Sequence, residues 1–251
     1  MHIQERYLSY QVTFVLNFLL CYSAMKLMSL FLTKDKKIFG KFLKVPYLSV
    51  RSMTYHPLRD ESVVARFIFF LFLTAFSVAM ADEFLVPMNF FDTLLFSPAI
   101  YFFTEMIGAF GQLLFFTTRT FSIHRTPLQA KSLSHFWGKD WNLWVQDWLR
   151  DVSEGLSHRK HSRRIILVFL ISGIFHELMV NLPYWLLYGE SYFGTMLGYF
   201  LIQAVALWID KRFVKKLGWT LRRIYLWACV ILPSPLFINV PLLKFFGLID
   251  A

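Results

Sequence analysis

Charge is scarce in this sequence: Asp, Glu, Lys and Arg make up only 17% of its 251 residues. A water-soluble domain carries about a quarter charged residues, so a soluble core is excluded, as is a charge-rich disordered chain. Cysteine is scarcer still. Cys21 and Cys229 are the only two, both inside apolar runs, and they make no CxxC pair, no disulfide framework and no cluster with zinc-ligand spacing. No apolar run alternates with the period of two that a membrane barrel strand needs, which leaves helices. Collagen-like repeats are absent, and no nucleic-acid recognition module accompanies the net charge of +10.

What fills the chain instead is apolar: 57% of residues are hydrophobic, 29 are Phe, and the mean hydropathy is +0.49. Six runs near 20 residues stand out, at about Tyr7 to Leu32, Val63 to Ala81, Leu94 to Phe116, Ile165 to Tyr188, Tyr192 to Ile209 and Ile224 to Val240. Each approaches the length that crosses a bilayer core of about 30 Å as a helix. The expected fold is all-α, a polytopic membrane protein built as one membrane-embedded domain over 1–251. The first run has no basic segment before it and no small-residue cleavage site, so it reads as a span and not a signal peptide.

Loop charge tests the count. The segments 33–62, 117–164 and 210–223 hold 22 of the 26 Lys and Arg, whereas 82–93 and 188–191 hold none. Six spans place all three basic loops on one face, which the positive-inside rule makes cytoplasmic, with both termini on the lumenal side. The positive charge then suits an anionic leaflet and needs no nucleic acid.

Polar residues within or beside the spans are Lys26, Arg66, Glu105, Gln112, His176, Glu177 and Asn181. Lys26 and Arg66 lie near cytoplasmic ends, where long side chains can snorkel to headgroups. Glu105 and Gln112 are seven residues apart on one helix face and are expected to look into the bundle. His176 falls eleven residues after Ile165, about 16 Å along a helix and so near the bilayer midplane. A desolvated imidazole is held neutral, the form that can take a proton from an alcohol. Ser172 and Gly173 share its face, one able to orient the ring and the other leaving room for a ligand; packing is the competing role for such a histidine. His-Glu-Leu-Met-Val lacks the second histidine of a zinc-protease HExxH motif.

Upstream, Trp137, Trp141, Trp144 and Trp148 recur at spacings of four, three and four. On one helix they would share a face, with Lys139, Asn142, Gln146 and Ser153 roughly opposite, as in an amphipathic helix lying in the cytoplasmic interface. Membrane anchoring alone would explain such a stripe. The segment Pro127-Leu128, then Ser132-Leu-Ser-His-Phe-Trp-Gly-Lys-Asp-Trp-Asn142, resembles the signature of wax synthases, the long-chain-alcohol branch of the membrane-bound O-acyltransferase superfamily. Ser172-Gly-Ile-Phe-His-Glu177 is similar to that superfamily's intramembrane Ser-Gly-x-x-His-Glu. The resemblance is specific over about 127–190, the motif-bearing core.

The resemblance implies transfer of a fatty acyl group from acyl-CoA, a co-substrate, to a lipid alcohol in the endoplasmic reticulum membrane. His176 would be the general base and Asn142 its partner in binding or polarising the reacting groups. Trp137, Trp141, Ser172 and Glu177 would line the substrate site, and no cofactor or metal is implied. Arg159, Lys160, Arg163 and Arg164 could attract the CoA phosphates, although topogenic charge explains each of them as well. Diacylglycerol or sterol acyl transfer is the nearest alternative. A di-iron hydroxylase around His158 and His161, a transporter with Pro233 and Pro235 breaking its sixth helix, and a non-catalytic scaffold belong to other classes.

Overall fold

The computed structural model describes residues 2–33, 38–55, 61–84, 90–116, 121–156 and 161–249, and these form helices, turns and loops with no strand. At 2–6, 54–55, 84, 90–95, 156 and 161–163 only the backbone is described. The all-α expectation holds among the described residues. Three of their helices are long and apolar enough to cross a membrane: Tyr7–Leu32, Val63–Glu83 and Arg164–Tyr188. Leu16, Leu20, Phe69, Phe72 and Leu186 on these helices are more than half exposed, which suits lipid as the surrounding solvent.

The chain divides into two compact units, 25–155 and 1–24 with 156–251. The first helix, α1 (His2–Leu32), contributes to both. In the unit 25–155, α2 (Val63–Phe84) packs against α3 (Phe90–Leu114) through rings such as Phe67 and Phe110, 5.8 Å apart. Beside them Phe42, Tyr47, Phe121, Ile123 and Trp144 form a buried apolar cluster, with Tyr47 and Phe121 stacked at 4.1 Å.

Two expectations fail here. Lys26 does not snorkel: it is buried, donates to the Val45 carbonyl and lies over the Phe42 and Phe115 rings at 4.8 and 4.4 Å. Arg66 also turns inward, to Glu105. The four-tryptophan stripe does not lie on one helix either. Phe136–Asp140 is a π-helical turn, Trp141 is extended, and Asn142 takes a left-handed φ of 43° before α4 (Leu143–Leu156) begins. A break in the helix resets its phase, so Trp137 and Trp141 are not in line with Trp144 and Trp148. The latter pair is buried in the protein, and the Trp148 indole N–H donates to the Met25 carbonyl at 2.9 Å.

In the other unit, α5 (His161–His176) runs through a π-helical turn, Glu177–Asn181, into α6 (Leu182–Tyr188). The wider turn disturbs the regular ladder of backbone bonds. Asn17 on α1 supplies a partner there, its amide donating to the Leu178 carbonyl and, at 3.4 Å, to that of Met179. Against α5 packs α7 (Thr195–Arg212), and Gly173 permits the approach: a Cβ there would stand 2.7 Å from Leu197 Cδ1 and 3.0 Å from Leu197 Cα. The space expected for a ligand beside Gly173 is therefore filled by the neighbouring helix.

The run expected as the sixth span is not one helix. Its helix, α8 (Trp219–Ile231), has 13 residues, about 20 Å and short of the bilayer core. Pro233 and Pro235 stop it, a turn at Ser234–Phe237 follows, and Asn239 caps α9 (Val240–Phe245) by accepting from the Leu242 N–H at 3.2 Å. This unit closes on α1, where Tyr10 donates to the Pro241 carbonyl at 2.7 Å and Phe14 stacks on Phe245 at 4.0 Å.

Candidate functional site

Residues of chemical interest gather at two places, one in each unit. In the unit 25–155 the focus is the turn at Asn142. Left-handed backbone is tolerated by Asn better than by most residues, and this turn is stitched to the irregular segment 121–126. Arg125 N–H donates to the Asp140 carbonyl at 2.9 Å, Asn142 N–H to His124 Nδ1 at 3.0 Å, and Leu143 N–H to the Ile123 carbonyl at 2.8 Å. The Asn142 side chain then caps α4, its Oδ1 accepting from the Val145 N–H at 3.3 Å.

His124 is at the centre of this stitching and is almost wholly buried. Because Nδ1 accepts from Asn142, the proton must be on Nε2, which lies 2.8 Å from Thr104 Oγ1. The Thr104 hydroxyl passes the chain on to the Tyr101 carbonyl at 2.9 Å. The His124 backbone N–H donates to Glu105 Oε1 at 2.9 Å, and Arg66 holds the other carboxylate oxygen at 2.7 Å while reaching Ser122 Oγ at 2.9 Å. Burial, and secondarily the Arg66 charge, lower the His124 pKa to about 3, so the ring stays neutral. Trp141 covers it, ring centroids 4.2 Å apart, and stacks on Phe136 at 5.4 Å. Trp137 meets Phe136 edge-on at 5.1 Å. Buried Asp140 anchors the π-helical turn through His135 Nδ1 at 2.5 Å.

In the other unit, α5 ends on His176. Its Nδ1 lies 2.7 Å from the Ser172 main-chain oxygen. A carbonyl only accepts, so Nδ1 carries the proton and Nε2 keeps its lone pair. Nε2 makes no hydrogen bond among the described residues. The ring is held between Phe200 and Phe237, at centroid distances of 4.6 and 5.4 Å, the second delivered by the proline break after α8. Ser172 thus orients the imidazole through its backbone and not its hydroxyl.

Glu177 follows the histidine but turns to other work. Its Oε1 accepts from the Gly194 and Leu197 N–H groups at 3.0 and 2.8 Å, so it neutralises the start of α7. Its Oε2 accepts from Asn181 at 2.6 Å, and Asn239 ties Asn181 to Thr195 with bonds of 2.9 Å each. Among the described residues, all the hydrogen bonds of the Glu177 carboxylate are to this framework.

Of the residues singled out in the sequence, the fold brings Ser172 to His176 by a hydrogen bond and sets Glu177 next to it in the chain. Trp137, Trp141 and Asn142 gather around one turn. Arg164 stays apart, twelve residues before His176 on the same helix, about 18 Å along the axis. The Arg163 side chain, and His158, Arg159 and Lys160 entirely, lie outside the described residues. Sequence reasoning missed His124, Thr104 and the Arg66–Glu105 pair as neighbours of Asn142. The one signal available was an ionisable pair, Arg66 and Glu105, on two adjacent apolar runs.

A single similarity reaches into both clusters. Residues 122–189 match the membrane bound O-acyl transferase family. The match takes in His124, Asn142 and His176, about a quarter of the chain, and it supports a place in the membrane-bound O-acyltransferase superfamily without selecting a branch. No curated protein and no solved structure matches the chain. Together with the three apolar helices, the match supports an integral membrane acyltransferase acting on acyl and lipid substrates.

Proposed function

We propose that this chain is an acyl-CoA-dependent acyltransferase of the wax-synthase type, moving a fatty acyl group onto a long-chain alcohol. The observation that carries the reading is the open Nε2 of His176, with its tautomer fixed by the Ser172 carbonyl, inside the family match. The acceptor O–H gives its proton to Nε2 while the oxygen attacks the thioester carbonyl. The tetrahedral carbon then expels the CoA thiolate, which takes the proton back from His176, leaving an ester and free CoA. No metal or covalent enzyme intermediate is required by this balance.

Asn142 enters on the resemblance. With its oxygen engaged in capping α4, its amide N–H groups make no hydrogen bond among the described residues, and the resemblance gives them a part in binding or polarising the reacting groups. The reading also includes one working domain, six crossings, with Phe90–Leu114, Thr195–Arg212 and the broken stretch after Trp219 as the three further ones, and an endoplasmic reticulum location. Arg163 and Arg164 are proposed to favour the CoA phosphates by charge. Diacylglycerol or a sterol as acceptor is the second reading. The test is the purified chain with labelled acyl-CoA and a panel of fatty alcohols, diacylglycerol and sterol. Labelled wax ester with release of CoA supports the proposal; labelled triacylglycerol or sterol ester moves the assignment to that acceptor, and no ester with any of them leaves a non-catalytic scaffold.

A further inference from the structure

Asn142 owes its conformation to groups that are far from it in sequence. The turn bends left-handed at a residue with a Cβ, a conformation that persists only where the surroundings hold it. What fixes it is the single hydrogen bond from its N–H to His124 Nδ1, flanked by the two backbone bonds to Arg125 and Ile123. The imidazole cannot rotate away, because Nε2 is engaged by Thr104 and the ring is covered by Tyr101 and Trp141 at 5.0 and 4.2 Å. Nor can the segment carrying His124 slide, because Glu105 and Arg66 grip it at His124 N–H and Ser122 Oγ. Every hydrogen-bonding group on the ring points to protein, so His124 has none left for a substrate.

We propose that His124 is a positioning residue: it fixes the backbone turn at Asn142 and thereby the direction in which the Asn142 amide is presented. The inference rests on the role given to Asn142 under the proposed function. Misplacing a reacting or polarising group by about 1 Å can cost about 10²-fold in rate, so loss of this bond should lower turnover without touching substrate affinity. A ring-sized residue with no acceptor, His124→Phe, removes it. In His124→Asn the Oδ1 occupies nearly the place of Nδ1 and can accept from the same N–H, so it should restore most of the rate.

The experiment is a double-mutant cycle on the full chain in detergent, with wild type, His124→Phe, His124→Asn, Asn142→Ala and the double variant His124→Phe with Asn142→Ala. Ester formation is followed at varied acyl-CoA, and thermal midpoints are recorded in parallel. Expected are a loss of about 10²-fold in kcat for His124→Phe with KM within about twofold, recovery in His124→Asn, and no further loss when His124→Phe is added to Asn142→Ala. An equal further loss in the Asn142→Ala background, or His124→Asn as slow as His124→Phe, overturns the inference and leaves Asn142 its role. Full activity in Asn142→Ala overturns both. Should His124→Phe fail to fold, Thr104→Val releases the Nε2 side of the ring and takes its place in the cycle, with the same pattern expected and the same outcome fatal.

Discussion

His124 and His176 are both neutral imidazoles shielded by aromatic rings, and they are wired in opposite senses. His124 accepts at Nδ1 and donates from Nε2, so both nitrogens are committed to protein. His176 donates from Nδ1 to a main-chain oxygen, and its Nε2 makes no hydrogen bond among the described residues. A histidine with both nitrogens satisfied holds a fold together, whereas one with a single open nitrogen can exchange a proton. The contrast teaches that location in a membrane helix or beside a family motif does not by itself leave a histidine nitrogen able to take a proton; the hydrogen bonds on its two nitrogens decide that.

The strongest challenge to that contrast is His176→Gln, which keeps the size of the side chain and removes the base. It should cost about 10² to 10⁴ in turnover while the thermal midpoint stays near that of the wild type. A comparable loss of stability with turnover per folded molecule unchanged would put His176 in the same structural class as His124.

Next in size is Arg66→Met, which leaves the Glu105 carboxylate beneath His124 buried without its cation. Breaking such a pair costs about 3–5 kcal/mol, so chemical or thermal denaturation should register a large drop. Little change would mean that the Glu105 ion pair does not support the Asn142 turn.

Acidification probes the His124 region more gently. The His124 pKa is lowered from 6.5 to about 3 by burial and then by Arg66, so between those values the unfolded chain takes up a proton that folded His124 refuses. The stability it contributes is present above pH 6.5 and is lost as the pH falls toward 3, at up to about 1.4 kcal/mol per pH unit. Denaturation midpoints measured across that window should show a shallower slope in His124→Asn; an identical slope would remove His124 as the source.

Smallest of all is Ser172→Ala. The bond to His176 uses the backbone oxygen, which alanine retains, so turnover should stay within about twofold, a difference of about 0.4 kcal/mol. A loss of tenfold or more would show that the hydroxyl takes part.

How much of this was legible beforehand differs between the two regions for a physical reason. His176, Ser172 and Glu177 are neighbours along one helix, and spacing of four residues predicts contact there, so the histidine and its orienting residue could be read directly. That Ser172 acts through its carbonyl could not, since backbone geometry is common to all residues. The function expected of Gly173 was wrong because the approach of Leu197 is a tertiary fact. Around Asn142 almost nothing was legible: His124 is 18 residues upstream in an irregular loop, and Arg66 and Glu105 come from two other helices. The tryptophan spacing looked helical, yet the π-helical turn and the left-handed Asn142 interrupt it. Periodicity finds regular elements, and this region is built where the regularity stops. The proline pair at 233 and 235, by contrast, announced a helix end that the fold uses to bring Phe237 to His176.

The central claim is the opposite wiring of the two rings, and the most direct measurement is nitrogen-15 NMR of the chain labelled only at histidine. Signals are assigned by comparison with His124→Asn and His176→Gln, and spectra are taken at neutral pH. The account predicts that His176 carries its proton on Nδ1 with a lone pair on Nε2, and that His124 carries its proton on Nε2 with a lone pair on Nδ1. A protonated Nε2 on His176, whether from the other tautomer or from an imidazolium, would contradict it.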